Sequence, residues 1–446
     1  MRASHADQVE VSTPPHRPAG WEVKLIGELT DVSAGGTPAT SEDSYWNPPE
    51  VPWMSSGEVH QRRVRRTEKQ ISKLGLENSA AKVFPRKSIV MALAGQGKTR
   101  GCVAVLEAEV ATNQSLAAIY PSDGFETDFL FHNLDWRYKE LRALSSGEGG
   151  RGGLNLSIIK SIPVELPPRG EQKKIAAILT AVDDKLDVIA REIEATQTLK
   201  RGLMQTLFSR GVGVLNASST WLPHEEFKEG PIGIVPRCWE FCTLGDLAVE
   251  NITYGVVQPG EPVAGGVPMV RGGDIKDGEF AQDLRTISSE VSAQFKRTIL
   301  KGGELLVSLV GYPGETAVVP ATLKGANIAR QAGMIRTGSL ALSKYLHCYL
   351  SSPAGKAELL GGMIGSAQQV INLKSLRDVS VPMPPEVERE QITAVCEATS
   401  AKLRALFAKQ RSYGLLKRGL MQKLLTGEWR VKVDNATHTP PVSEAA

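Results

Sequence analysis

The sequence predicts a mixed α/β (α+β) protein in which two globular domains alternate with two long helices, as a pseudo-two-fold tandem repeat. Three observations predict this fold. One seven-residue segment occurs twice, two long stretches have apolar residues at helical spacing, and a Gly- and Pro-rich segment with short β-like runs precedes each stretch. The 446 residues, 41% of them hydrophobic, suffice for two or three domains with substantial cores.

The repeat covers most of the chain. Leu199–Gln205 and Leu416–Gln422 are identical, 217 positions apart. Flanking matches keep nearly the same offset: Trp21–Gly27 with Trp239–Gly245, Val51-Pro52 with Val267-Pro268, Pro167-Pro168 with Pro384-Pro385, and Glu171-Gln172 with Glu390-Gln391. Solenoid repeats are shorter and more numerous, so we interpret the chain as one unit of about 217 residues present twice.

The alternation of loop-rich and helix-like segments predicts seven regions. They are a flexible tail (1–19), a first globular domain (20–166), a central helix (167–208), a linker (209–235), a second globular domain (236–383), a C-terminal helix (384–428) and a flexible tail (429–446). A long helix with one apolar stripe needs a partner. The similar stripes favour pairing of the two helices as a coiled coil, and packing of each on its own globular domain is the alternative.

Composition argues against several classes of protein. The five cysteines are scattered without a Cys-x-x-Cys motif, so we expect reduced thiols. The seven histidines form no ligand-spaced cluster, so we expect no metal site. The N-terminus has no signal-like apolar core, and the longest apolar stretches are too short to span a bilayer. We therefore expect a soluble, cytoplasmic protein that contacts no membrane.

Two motifs suggest enzymatic chemistry, but both are incomplete. Gly97-Lys98-Thr99 follows a β-like run, yet the phosphate-binding loop requires glycine where Ala92 stands, and the repeat counterpart of the lysine is Glu315. Asn47-Pro48-Pro49-Glu50 is close to the motif by which adenine methyltransferases hold a flipped base, but Glu50 replaces the stacking aromatic residue. Turn formation explains the two prolines. We therefore predict no catalytic residue in this chain.

The charge is unevenly distributed, although the whole chain carries only +3. Residues 61–100 contain eleven basic and two acidic residues, a net charge of +9, and side chains suited to base edges (Gln96, Asn113 and Gln114) lie in or near this segment. The pattern favours nucleic-acid contact over a merely solvated charged surface. Residues 271–330 carry only +1, so the second unit would depend on the placement of its charges rather than on their number.

Several segments together resemble the specificity subunits of type I restriction–modification systems, over about Trp21 to Trp429. Gly35–Pro38, Tyr45-Trp46 and Val51–Trp53 are typical of the start of a target recognition domain. Leu154-Asn155 and Ile162–Pro168, followed by Glu171-Gln172, are typical of its exit into a conserved helix. The second copy repeats this exit at Val381–Pro385, and both helices end in the duplicated segment.

The resemblance implies a DNA-reading scaffold. Each target recognition domain would read one half of a split site in double-stranded DNA, and the two helices would pair antiparallel as a spacer. The chain would dock two methyltransferase subunits, which carry S-adenosylmethionine, and restriction/translocase subunits, which use ATP and Mg²⁺. It would itself bind no cofactor and catalyse nothing.

The candidate DNA contacts lie on the basic segment and on the loops after the buried β-like runs. We predict phosphate contacts for the arginine cluster and base or loop contacts for the others: Arg62, Arg63, Arg65, Arg66, Gln96, Lys98, Arg100, Tyr312, Arg330 and Gln331. Two other hypotheses remain open. One is a nucleotide-dependent enzyme built on Gly97-Lys98-Thr99, and the other is a coiled-coil scaffold that does not bind DNA.

Overall fold

The computed structural model describes residues 18–95, 98–144, 153–361 and 370–433. The chain divides into two compact units: unit 1 comprises residues 1–189 and 409–446, and unit 2 comprises residues 190–408. Each unit contains one globular domain, the first part of the long helix that follows it, and the last part of the other long helix. The compact units therefore differ from the consecutive repeats of the sequence.

Among its described residues, the first globular domain has eleven short strands and five short α-helices before its long helix. In chain order they are β1 (Glu22–Leu25), α1 (Ile26–Leu29), β2 (Val32–Ala34), β3 (Val51–Met54), β4 (Arg63–Val64), β5 (Lys69–Ile71), α2 (Lys73–Glu77), β6 (Val83–Phe84), β7 (Ile89–Ala92), β8 (Val103–Leu106), β9 (Val110–Thr112), β10 (Leu116–Ile119), α3 (Thr127–Trp136), α4 (Tyr138–Ala143), α5 (Leu156–Lys160), β11 (Pro163–Leu166) and α6 (Arg169–Leu207).

Two sheets form the centre of this domain. Their strand orders are β2-β10-β7-β8-β4 and β5-β3-β9-β6, with parallel pairing only between β4 and β8 and between β3 and β9 among these strands. Strands β7, β8 and β10 are buried along their whole length, because their sequences are continuously apolar. Their core includes Phe129 of α3 and extends to Ile175 and Leu179 of α6.

The remaining elements follow α6 along the chain. They are β12 (Val214–Leu215), β13 (Trp221–Leu222), β14 (Phe227–Gly230), β15 (Gly233–Pro236), β16 (Glu240–Thr243), α7 (Leu244–Leu247), β17 (Thr253–Tyr254), β18 (Val267–Val270), β19 (Ile275–Lys276), β20 (Glu279–Phe280), β21 (Arg285–Ile287), α8 (Ser289–Gln294), β22 (Leu305–Ser308), β23 (Thr316–Val318), β24 (Asn327–Ile328), β25 (Ala332–Ile335), α9 (Leu340–Leu350), α10 (Pro353–Gly361), α11 (Leu373–Arg377), β26 (Ser380–Met383) and α12 (Glu386–Leu425).

The sheets of the second globular domain follow a related plan. The strand orders are β17-β25-β22-β23 and β21-β18-β24, with β18 and β24 parallel as β3 and β9 are in the first domain. A two-stranded ribbon closes each domain, formed by β1 and β11 in the first and by β16 and β26 in the second. The repeat in the sequence is thus a repeat in the fold.

Both long helices begin where a proline pair ends the preceding strand. The Pro168 carbonyl accepts the Glu171 amide at 2.8 Å, and the Pro385 carbonyl accepts the Arg389 amide at 2.9 Å. Helices α6 and α12 contain 39 and 40 residues, so each is about 60 Å long. The apolar stripes thus correctly predict two long helices.

Within unit 1, the beginning of α6 packs against the end of α12. Arg430, just beyond α12, pairs with Glu171 at 2.7 Å, and Lys417 pairs with Asp183 at 2.6 Å. Partner numbers fall as residue numbers along α6 rise, so the two segments run antiparallel in this unit. Met421 and Leu424 join the core that contains Ile175.

Three details differ from the sequence-based interpretation. The interval 209–235 contains the hairpins β12-β13 and β14-β15, so it is not merely a connecting stretch. The tail that begins at residue 429 is anchored at its start by Arg430, whereas residues 434–446 and 1–17 lie outside the described residues. The buried glutamate equivalent to Glu171 is Glu388 and not Glu390, because each accepts a hydrogen bond from the tryptophan that opens its own domain.

Candidate nucleic-acid interface

Four strand ends converge in the first globular domain and bring their loops together. The Asn113 amide donates to the Met54 carbonyl at 3.0 Å, which joins the loops after β9 and β3. The Leu93 amide after β7 donates to Ser115 at 2.8 Å, and the Gly36 amide after β2 donates to Thr112 at 2.8 Å. We call these three bonds the loop framework.

The second domain builds the same loop framework. The Ala329 amide donates to the Val270 carbonyl, Leu309 to Gln331, and Val256 to Ile328, each at 2.8 Å. These bonds join the loops after β17, β18, β22 and β24. The backbone therefore matches Asn113, Gln114 and Ser115 with Ala329, Arg330 and Gln331, in that order.

A buried acid fixes the turn after β3 and its counterpart after β18. Glu58 accepts the Ser55 amide at 2.7 Å, and Asp274 accepts the Arg271 amide at 2.8 Å. Both acids are buried. The exposed residues of the two turns differ, but both turns have the same hydrogen bond from a backbone amide to a buried carboxylate. The two domains therefore present different side chains on a similar backbone.

The candidate residues of the second domain meet on this framework. Tyr312 lies in the loop after β22 and is 55% exposed. Arg330 is exposed, and Gln331 beside it is half-buried, with its carbonyl accepting the Leu309 amide of the framework. The three predicted residues of this domain therefore share one loop cluster.

In the first domain the loop after β7 carries Lys98 and Arg100. Lys98 is exposed, and its carbonyl accepts the Tyr138 hydroxyl at 2.9 Å, which ties the loop to α4. Arg100 is half-buried in the same loop. Gln96 lies outside the described residues. Gln114, exposed on the neighbouring loop, joins this site because its position matches that of Arg330.

Arg62 and Arg63, predicted to contact phosphates, form ion pairs within the fold. Arg62 pairs with Asp135 at 2.8 Å and with Asp183 of α6 at 3.0 Å, and its guanidinium lies 5.1 Å from the centre of the Phe131 ring. Arg63 pairs with Glu107 and Asp128 at 3.0 and 2.7 Å. Both guanidinium groups are thus paired with carboxylates of the protein itself, so we no longer propose them as phosphate ligands.

The Arg62 pair is part of a half-buried charge cluster around Asp183 of α6. Burial alone would raise the pKa of Asp183, but its ion pairs with Arg62 and Lys417 outweigh burial and lower that pKa below its ordinary value. Arg65 and Arg66, by contrast, are exposed, and neither forms an ion pair with the part of the chain that the structure describes. They remain candidates for phosphate contact.

The comparisons with known proteins agree with this architecture. The family described as "Type I restriction modification DNA specificity domain" matches residues 18–197. The chain is 27% identical to the type I restriction enzyme EcoBI specificity subunit of Escherichia coli over 70% of this chain and 68% of that protein. It is 23% identical to the MjaVIII specificity subunit of Methanocaldococcus jannaschii over 93% and 94% of the two chains.

Solved structures show the same fold. The S subunit of a type I restriction–modification system from M. genitalium aligns over 91% of this chain and 96% of its own, with 16% identity and a TM-score of 0.59. Residues 18–197 thus match the type I specificity family, and most of the chain is similar to type I specificity subunits. The proteins that the chain resembles are named as specificity subunits of restriction–modification systems.

Two further properties of the chain bear on the alternatives. Its counterpart of the Lys98 loop presents Glu315, which accepts the Asp277 amide at 3.0 Å and pairs with Lys356 at 2.9 Å. A carboxylate fixed in this way disfavours phosphate, which argues against a duplicated nucleotide loop. Among the helices that the structure describes, none combines the length and apolarity needed to cross a membrane.

Replacing Arg62 and Arg66 separately should distinguish a structural arginine from a DNA contact. Arg62→Ala leaves Asp135 and Asp183 short of a partner and should lower the free energy of unfolding by about 2 kcal/mol. Arg66→Ala should leave stability unchanged and reduce the salt dependence of DNA binding by about one unit of slope. Denaturant unfolding and binding titrations at several salt concentrations measure both. Equal loss of stability in the two variants would contradict the assignment.

Acidification should destabilise unit 1 through His132. Burial lowers the pKa of His132 to about 4, although the nearby Asp183 carboxylate acts in the opposite direction. Because the unfolded chain takes up a proton near pH 6.5 and the folded unit does not, stability falls as pH drops from 6.5 to 4, by about 3 kcal/mol. Calorimetry across this range should show His132→Gln with a flatter pH dependence. A pH profile of His132→Gln equal to that of the wild-type chain would refute the prediction.

Proposed function

We propose that the chain reads a bipartite target in double-stranded DNA, one half-site with each globular domain. The observation that carries the proposal is the loop framework, which is the same in both domains while the exposed side chains on it differ. Gln114 and Lys98 lie on the first framework, and Tyr312, Arg330 and Gln331 lie on the second. Arginine suits guanine and glutamine suits adenine in the major groove, so two different half-sites would be read.

Sequence-independent affinity would come from the basic segment of the first domain. With Arg62 and Arg63 committed to carboxylates, the exposed cations Arg65, Arg66 and Lys98 are the phosphate ligands that we propose. The chain would then gain more electrostatic binding free energy at the first half-site than at the second. The first half-site would depend more strongly on salt.

The long helices would pair antiparallel along their length, set the distance between the half-sites and hold the partner subunits. The antiparallel contact between Glu171 and Asp183 of α6 and the end of α12 supports this arrangement in unit 1. Leu199 and Leu416, equivalent residues of the duplicated segment, are 55% and 49% exposed. Two identical segments with an exposed leucine fit two copies of one partner, which we propose to be the methyltransferase subunit.

The chemistry would belong to the assembled partners. The methyltransferase subunits would supply S-adenosylmethionine, and restriction/translocase subunits would use ATP and Mg²⁺. Methylation of the target adenine requires the base to leave the helix stack, a step that those subunits would perform. The chain itself would recognise the DNA sequence and hold the partner subunits together.

Mapping methylated adenines in the genome, with and without this gene, tests the proposal. A split motif with a fixed spacer should be methylated in cells that carry the gene and should disappear on its deletion. An unchanged methylation pattern would instead favour a scaffold without a DNA role. Binding of ATP or S-adenosylmethionine by the purified chain would favour the nucleotide-dependent enzyme.

A further inference from the structure

Arg271 lies on the second loop framework, directly after β18, and opens the turn Gly272–Asp274. Its side chain is 45% exposed. Its position matches that of Ser55 after β3, whose hydroxyl donates to Glu58 at 3.1 Å. The first domain therefore has a short neutral side chain at the position where the second domain has a guanidinium group.

The turn packs against the loops that carry the other candidate contacts of the second domain. A side chain at Gly272 would collide with the carbonyl oxygens of Val310 and Gln331, so only glycine allows this close approach. Val310 belongs to the loop after β22, which also carries Tyr312. Arg271 therefore belongs to the same loop cluster as Tyr312 and Gln331.

The buried Asp274 carboxylate holds one edge of the Arg271 guanidinium group. Nε donates to one carboxylate oxygen at 3.0 Å, and Nη2 donates to the other at 2.8 Å. The same carboxylate accepts the Arg271 backbone amide at 2.8 Å, which fixes it to the turn. Two parallel hydrogen bonds to a fixed carboxylate restrict the rotation of the guanidinium plane.

The outer edge of this guanidinium group is available to a ligand. A guanidinium has five N–H donors, and Asp274 takes one from Nε and one from Nη2. The remaining donors of Nη1 and Nη2 include a second parallel pair, which forms no hydrogen bond with the described part of the chain. Arg62 differs, because its Nη1 and Nη2 donate to two separate carboxylates. The ion pair of Arg271 is therefore compatible with ligand binding, whereas those of Arg62 occupy both terminal nitrogens.

We propose that Arg271 reads a guanine of the second half-site in the major groove, with Asp274 as its positioning residue. Two parallel N–H donors fit the O6 and N7 acceptors of guanine, whereas adenine presents an N–H donor in place of O6. The proposal rests on the proposed reading of DNA by the second domain, and it adds the base that this domain discriminates.

Binding titrations of the full-length chain test the proposal, with oligonucleotides that contain the motif found by methylation mapping. Each guanine of the second half-site, on either strand, is replaced in turn by 7-deazaguanine, which lacks the N7 acceptor and still pairs with cytosine. For the wild-type chain we expect one guanine at which this replacement lowers affinity about 10-fold.

Variants assign that guanine to Arg271. Arg271→Ala should bind the motif more weakly and be insensitive to 7-deazaguanine at that position, whereas the exposed control Arg297→Ala should keep the full 10-fold effect. Asp274→Asn should reduce the effect at that guanine and leave discrimination at the other base pairs unchanged. A purely structural role of the ion pair would instead weaken discrimination at every base pair of the half-site.

The outcomes separate this proposal from the proposed function. The role of Arg271 is overturned if no guanine of the second half-site is sensitive in the wild-type chain, a result that does not depend on the folding of a variant. It is also overturned if Arg271→Ala keeps the sensitivity and loses affinity equally for all sequences, as loss of a phosphate contact would give. Either result leaves a motif that disappears with the gene intact. An unchanged methylation pattern on deletion of the gene would contradict the proposed function and the role of Arg271 together.

Discussion

Glu388→Ala is expected to lower the Tm of unit 2 by about 10 °C. The buried carboxylate accepts the Trp239 indole at 2.9 Å, the Val212 and Gly213 amides at 2.9 and 3.1 Å, and the His224 ring at 2.9 Å. Alanine leaves these buried donors without an acceptor, which costs about 4 kcal/mol. In a unit of this size that loss corresponds to the stated shift.

The same helix supplies the control for this prediction. Glu390 is exposed two residues further on, so Glu390→Ala removes an equal charge with little effect on the Tm. Glu171→Ala should have about half the effect of Glu388→Ala, because Glu171 accepts only Trp21 and the partly exposed Arg430 among the described residues. Scanning calorimetry of the full chain gives all three values. A Tm for Glu388→Ala equal to that for Glu390→Ala would contradict the role of the cluster.

The contacts of Glu388 also show where alignment of identical residues pairs the wrong positions of the two repeats. Glu-Gln occurs after both proline pairs, so the sequence alone matches Glu171 with Glu390. The tryptophan bond matches it with Glu388, at the same 217-residue offset as the duplicated segment. Three of the four partners of Glu388 described above come from residues 212–224, where the sequence predicts only a linker. Hairpins of two-residue strands are too short for alternation of apolar and polar residues to reveal them.

Predictions based on local pattern agree with the structure, and those based on local charge do so only in part. The helices follow from the spacing of their apolar residues, which is a property of neighbours in the chain. Arg62 and Arg63 look like a basic patch because their acidic partners, Asp135, Asp183, Glu107 and Asp128, lie 44 to 121 residues away. Counting charge over forty residues cannot include partners that only folding brings close.

The reading loops are partly predictable for a related reason. Arg330 and Gln331 follow a buried β-like run in the sequence, and the ends of strands are where side chains can reach a ligand. Their relation to Gln114 requires the loop framework, since the offset of 216 there differs from that of the duplicated segment. The framework consists of backbone hydrogen bonds between loops that are distant in sequence. Because any residue type can form such bonds, the sequence does not indicate them.

Arg330→Ala is expected to remove recognition of one half-site while leaving the other intact. An exposed arginine on the second loop framework would contribute about 2 kcal/mol to discrimination, so affinity for the specific site should fall about 30-fold. Affinity for random DNA should fall much less. Arg297→Ala, an exposed arginine outside these loops, controls for the lost charge. Binding titrations with the methylated motif and with scrambled DNA give the comparison.

The reciprocal variant decides whether the two domains read independently. Gln114→Ala should lower the sequence specificity at the half-site that the first domain reads. In cells, each variant should lose sequence specificity only in its own half of the methylated motif. The two substitutions lie in separate compact units with separate cores, so their effects on binding free energy should add. Loss of both half-sites in either folded single variant would show that recognition is cooperative and not divided between two readers. An unchanged motif in both would place the base contacts elsewhere on the domains.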